Sequence, residues 1–125
     1  MKVGVSLFMQ NYTDWLRFEG IERGDAVTPI AIPDSQIYEE DLRLGKLVEP
    51  LGFDSLWSVE HHFTPYTMVP DVLKLLSYFA GCTERIEMGT MVIVLPWHDP
   101  IRVAEGIATL DNMLSGRRLS IGRRR

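Results

Sequence analysis

Ile86-Glu87-Met88-Gly89-Thr90-Met91-Val92-Ile93-Val94-Leu95 is the stretch that decides the fold. From Met91 to Leu95 it is almost continuously apolar, and a strand apolar on both faces belongs in a buried parallel sheet. Parallel neighbours need helical crossovers, which are right-handed. Downstream, Asp99-Pro100 has the form of an N-cap followed by proline at the first helical position, and Val103, Ile107, Leu110 and Leu114 mark one helical face as far as Ser115-Gly116. Leu119-Ser120-Ile121-Gly122 then begins a further strand. Upstream, Val72, Leu75, Leu76 and Phe79 repeat the helical spacing up to Gly81, and Asp54 to Val59 forms a strand before them. Leu44, Leu47, Val48 and Leu51 define an earlier helix, capped by Asp34 or Ser35 with Glu39, Glu40 and Asp41 near its start and ended by Pro50 and Gly52. Val3 to Phe8 is the first strand.

The expected elements are strands near 3–8, 55–59, 86–95 and 119–122, and helices near 36–50, 70–81 and 100–114. This is a β-α-β-α-β-α-β pattern, an α/β chain of the TIM-barrel type with about four parallel strands and three helices. A whole barrel needs eight such units and about 250 residues; the 125 residues here supply the first half of one, a single domain over 1–125. Asn11 to Asp34 shows no period and carries two glycines and two prolines; it reads as a solvated surface excursion, with a functional lid as the alternative.

Composition narrows the function. The chain is 46% hydrophobic, with 13 basic and 17 acidic side chains and a net charge of −4, which excludes disorder over most of its length and the basic footprint of a nucleic-acid binder. One cysteine makes neither an internal disulfide nor a multi-cysteine metal framework, and Cys82, just past a helix end, reads as a small buried hydrophobe. The methionines and tryptophans read as core, with Trp97 set apart by its loop position. The apolar run Val3–Met9 is too short for a signal segment or membrane span, so the expectation is a soluble cytoplasmic protein with no membrane or nucleic-acid partner. Neither Gly-x-Gly-x-x-Gly nor a Gly-Lys-Ser/Thr phosphate loop occurs.

In parallel α/β folds the functional groups collect at the carboxyl ends of the strands. All three histidines lie just beyond strand ends, in Glu60-His61-His62 and in Trp97-His98-Asp99. Histidine suits proton transfer near neutral pH and also ligates metals. Adjacent residues on an extended strand point to opposite faces, so His61 and His62 chelate one ion poorly. Acid–base work or substrate hydrogen bonding is the leading reading of the pair, structural contacts the second and metal binding the third. His98 reads as a loop histidine beside a capping Asp99. Arg123-Arg124-Arg125 fits either a phosphate or a solvated run of charge.

Five motifs in order, with matching gaps, resemble the bacterial luciferase-like monooxygenase family: Gly52-Phe53-Asp54-Ser55-Leu56-Trp57; Glu60-His61-His62-Phe63; Gly89-Thr90-Met91-Val92-Ile93-Val94-Leu95-Pro96; His98-x-Pro100 with Ala104-Glu105; and Leu110-Asp111-x-Met113-x-Ser115-Gly116-x-Arg118-Leu119. The resemblance implies a TIM barrel that uses reduced FMN, supplied by a separate reductase, and O2 to oxygenate an organic substrate; sister branches use the deazaflavin F420 for hydride transfer. It implies that His61 is the acid–base residue beside the flavin, and that Met91–Val92 is a non-proline cis peptide bulging against the flavin ring. It also places Glu105 near the cofactor and Arg125 near the FMN phosphate. The chain departs from the family pattern at Arg117 and Arg124, where glycines are usual. With strands five to eight outside the sequence, the resemblance implies a truncated amino-terminal half with two open sheet edges, prone to form a homo- or heterodimer and to hold flavin poorly by itself. The competing readings are a non-catalytic half barrel paired with another chain, and, last, a metal-dependent hydrolase built on Glu60, His61 and His62, which lacks further ligands at suitable spacing.

Overall fold

The computed structural model of the chain describes residues 1–124. Its elements are β1 (Gly4–Leu7), α1 (Tyr12–Glu22), α2 (Asp34–Val48), β2 (Ser55–Ser58), α3 (Val72–Ala80), β3 (Glu87–Val94), a single 3-10 turn (Leu95–Trp97), α4 (Pro100–Leu114) and β4 (Leu119–Arg124). The four strands form one parallel sheet in the order β1-β2-β3-β4. Sheet order therefore follows chain order, each crossover covers the same face, and all four carboxyl ends point one way.

Leu56 of β2 and Met88 of β3 reach the helix side of the sheet, where they meet Phe79 and Leu76 of α3, Leu110 and Leu114 of α4, and Val48 of α2. Period-two alternation sends Trp57 to the opposite face. Its indole nitrogen donates to Ser55 Oγ at 2.9 Å, and its ring lies so close to Gly89 that a Cβ there would sit 2.2 Å from it. The helix ends are capped as the residue types dictate: Asp71 accepts from the Lys74 amide at 3.1 Å, and Asp99 accepts from Ile101 and Arg102 at 2.9 and 3.2 Å. α4 ends with Ser115 and Gly116 in the left-handed region, at φ 51° and 86°.

The structure corrects the sequence reading in four places. The excursion after β1 contains a helix, α1, so there are four helices rather than three. Asn11, fully buried, makes this possible: its side chain accepts from the Asp14 amide at 3.1 Å and donates to Ile32 O at 2.8 Å and Asp34 Oδ1 at 3.0 Å, joining the start of the excursion to its end. The helix is invisible to periodicity because its aromatic and aliphatic residues circle the axis; its buried residues are Asp14 and Gly20. The buried face of α2 is carried by Tyr38, Leu42, Gly45 and Val48, whereas Leu44, Leu47 and Leu51 are partly or largely exposed beside the free edge of β1. α2 starts after Pro33, with no side-chain cap. Finally, Cys82 is exposed, and Met91 and Met113 are exposed while Met9 and Met88 form core; Trp97, set apart in the sequence by its loop position, is indeed exposed.

Candidate active site

The four strand ends build one cleft. β1 runs into Phe8 and Met9, where Met9 is fully buried in the left-handed region (φ 48°), with its amide donating to Asp41 Oδ2 at 3.0 Å and its carbonyl accepting from the Met68 amide at 3.1 Å. Burial, followed by the neighbouring Glu40 charge, pushes the Asp41 carboxyl up despite that backbone bond. β2 delivers Glu60, His61 and His62, β3 delivers Met91 and Val92, and β4 delivers Arg124; these side chains line a cleft of about 380 Å³. That volume falls within the usual range for a small-molecule site.

The β3–β4 ladder changes register inside this cleft. Thr90 pairs with Ile121 and Ile93 with Arg123, so Met91 and Val92 together oppose Gly122 alone. This is a β-bulge, a device that re-aims side chains next to binding sites. The Met91–Val92 peptide within it is cis, as the resemblance implied. Gly122 is required by the close approach: a Cβ there would lie 2.5 Å from the Thr90 carbonyl oxygen.

Beyond Ser58, the last residue of β2, the two histidines take different partners. The Glu60 side chain is 0% exposed, and its Oε1 lies 2.8 Å from His62 Nε2 and 2.8 Å from His98 Nε2. Its Oε2 accepts from the Val94 amide at 3.2 Å. The His62 ring stacks on Trp97, with centroids 4.7 Å apart and planes at 22°. His61 is exposed and meets Tyr66 edge-on at 5.4 Å; among the described residues its ring makes no hydrogen bond, so both nitrogens are available to a ligand. The donor atoms of Glu60, His62 and His98 lie within 4.8 Å of one another, a set that suits a divalent ion by residue type. Their separations are equally those of hydrogen bonds, which already satisfy the carboxylate.

His61, Met91 and Val92 line the same cleft. Glu105 does not join them: it sits on the outer side of α4 with its side chain 63% exposed and Oε2 3.3 Å from Arg102 Nη1. Arg125 lies outside the described residues, and the basic residue that lines the cleft is Arg124. Sequence reasoning missed Glu60 and His98 as partners. No local signal pointed to the meeting, because 38 residues separate Glu60 from His98. Arg117, the other departure from the family pattern, is a strut: its guanidinium donates to Leu114 O, Ala80 O and Thr83 O at 2.9, 3.0 and 3.0 Å, tying the carboxyl ends of α3 and α4 together.

Parallel β/α units in chain order, with a candidate cleft at their carboxyl ends, define an α/β chain of the TIM-barrel type. The sequence profile of the luciferase-like monooxygenases matches residues 22–123, and the chain belongs to that family. It is 34% identical over 89 residues to the alkanal monooxygenase alpha chain of Photorhabdus laumondii, covering 71% of this chain and 25% of that protein. It is 31% identical over 87 residues to the oxygenase component of the flavin-dependent trigonelline monooxygenase of Acinetobacter baylyi, covering 70% of this chain and 24% of that one. The chain therefore spans about a quarter of the length of the curated relatives it matches. Among solved structures it resembles monooxygenase RslO1 from Streptomyces bottropensis, with TM-score 0.73 and 31% identity over 98% of this chain and 32% of that one. The oxygenating constituent of 3,6-diketocamphane monooxygenase from Pseudomonas putida, solved in complex with FMN, shares the fold at TM-score 0.68 and 23% identity, covering 98% of this chain and 29% of that one.

Proposed function

We propose that this chain supplies the amino-terminal β/α units of a flavin-dependent monooxygenase, using reduced FMN and O2 on an organic substrate in the cytoplasm. The observation that carries the reading is the cleft in which His61, the Met91–Val92 bulge and Arg124 converge. The residues present fit the group: Met91, Val92 and Trp97 offer an apolar wall for a planar ring, and the Arg124 guanidinium at the same cleft suits a phosphate. Bound there, reduced FMN would supply the electrons that activate O2.

His61 holds and returns a proton at Nδ1 or Nε2, neither of which is hydrogen-bonded among the described residues. Val92 and Met91 orient the ring system and exclude water from one side of it. Arg124 binds the anionic end. A deazaflavin, F420, is the alternative cofactor for the same cleft. Among the described residues the outer edges of β1 and β4 are unpaired, and such edges support pairing with further strands. Among the described residues no helix is long and apolar enough to cross a membrane.

The test is an equilibrium titration of the purified chain with FMN, riboflavin and F420, followed by flavin fluorescence. FMN is expected to bind measurably but weakly, more tightly than riboflavin, and Arg124→Ala is expected to erase that difference. Equal affinity for FMN and riboflavin in both proteins, or no saturable binding at all, defeats the proposal.

A further inference from the structure

The feature that the proposed flavin site leaves unused is the Glu60 hub. A carboxylate with 0% side-chain exposure is costly unless its oxygens are satisfied, and here three donors from three places converge on it. His62 comes from the segment leaving β2, the Val94 amide from the last residue of β3, and His98 from the loop beyond it. A carboxylate oxygen accepts hydrogen bonds, and a ring that donates to it through Nε2 carries its proton on that atom. A neutral imidazole carries one ring proton, and the contact selects which nitrogen holds it. The bond survives whether the ring carries one proton or two, so the hub does not depend on charging either histidine.

We propose that Glu60 is a positioning residue that fixes His62 and His98 as Nε2–H tautomers and, by holding His62 against Trp97, sets the wall of the cleft beside His61. The wall is built indirectly. Trp97 is 59% exposed and touches the hub through the flat face of His62, with Phe63 edge-on to it at 6.0 Å. Without the carboxylate, neither ring has a fixed orientation, and the indole loses the surface it stacks on. His61 instead meets Tyr66 edge-on and makes no hydrogen bond to the hub among the described residues, so its ring is expected to be indifferent to Glu60. The part of this inference that concerns the cleft rests on the flavin reading above; the part that concerns the tautomers does not.

The protein contains only three histidines, so long-range 1H–15N correlation spectra of the uniformly 15N-labelled chain resolve each ring. The wild-type protein is expected to show the Nε2–H pattern for His62 and His98. Glu60→Met, which keeps the side chain's length and removes both acceptor oxygens, is expected to disturb both patterns together and leave that of His61 in place. His98→Gln, which keeps an amide donor, is expected to leave His62 in the Nε2–H form. Glu60→Met is also expected to weaken FMN binding by about threefold to tenfold, the size of losing one aromatic stack. An Nδ1–H pattern at either ring of the wild-type protein overturns the proposal, and that measurement needs no variant to fold. So does a stoichiometric divalent metal with both Nε2 atoms unprotonated, or a His62 pattern unmoved by Glu60→Met. Failure of the wild-type chain to bind FMN at all contradicts the flavin reading while leaving the tautomer result standing.

Discussion

The hydroxyl of Thr90 donates to the Gly122 carbonyl at 2.9 Å and accepts from the Gly122 amide at 3.0 Å. The bulge at Met91–Val92 removes the ladder partners that Gly122 would otherwise have, and a side chain replaces them. Thr90→Val keeps the shape and removes both bonds, leaving an amide and a carbonyl unpaired in the sheet. It is expected to cost about 1–3 kcal/mol. Gly122→Ala, whose Cβ would meet the Thr90 carbonyl at 2.5 Å, is expected to cost at least as much through forced backbone movement. Chemical denaturation measures both; a loss below about 0.5 kcal/mol for Thr90→Val would show that the hydroxyl does not complete the ladder.

Glu49 gives the fold a pH dependence. Its carboxylate accepts from the Arg85 amide at 2.6 Å, the Ile86 amide at 2.8 Å and the Glu84 amide at 3.1 Å. Burial alone pushes its carboxyl up, but the amides of Arg85, Glu84 and Ile86, with the Arg85 charge, outweigh it and hold the group below its ordinary value. A native value below the unfolded one means stability fully present above about pH 4.3 and lost as pH falls through the lowered native value. Glu49→Gln is expected to lower stability at pH 7 and to flatten the acid-side decline. An unchanged stability–pH curve would contradict the assignment.

Arg117 stands at the carboxyl ends of two helices, where a cation complements both dipoles and the orphan carbonyls. Arg117→Ala is expected to destabilise the chain by about 1.5–3 kcal/mol. Arg117→Lys, which cannot fork between Ala80 and Thr83, is expected to recover less than half of that. Thermal melts of the two variants are the check, and a silent Arg117→Ala would remove the strut from the fold.

His61 is expected to matter to turnover more than to binding. In a full-length relative carrying the same Glu-His-His-Phe motif, alanine at the position of His61 is expected to lower oxygen-dependent turnover by about a hundredfold or more, the scale of general acid–base catalysis. FMN affinity is expected to move by less than about threefold, because the ring contributes a proton site rather than the wall. Comparable losses in rate and affinity would make its role structural.

The sheet and three of its helices were legible because their signals are local: β-rich runs, the Val72-Leu75-Leu76-Phe79 spacing, and the Asp99-Pro100 start. α1 was not, since it is held by what buried Asn11 reaches across the excursion rather than by an apolar stripe. The outward turn of Leu44, Leu47 and Leu51 was hidden because periodicity finds a face and not what covers it. At the site, the place of all three histidines just beyond strand ends was readable along the chain. The meeting of Glu60 with His98 was not, because 38 residues and a helical crossover separate them.

The measurement that bears most directly on the flavin cleft is a titration of the 15N-labelled chain with FMN, read by amide chemical shifts. Saturable perturbations concentrated at Val59–His62, Met91–Val94 and Gly122–Arg124 are the predicted result. Perturbations centred elsewhere, such as the groove beside Leu44 and Leu47, or shifts that fail to saturate, would contradict it.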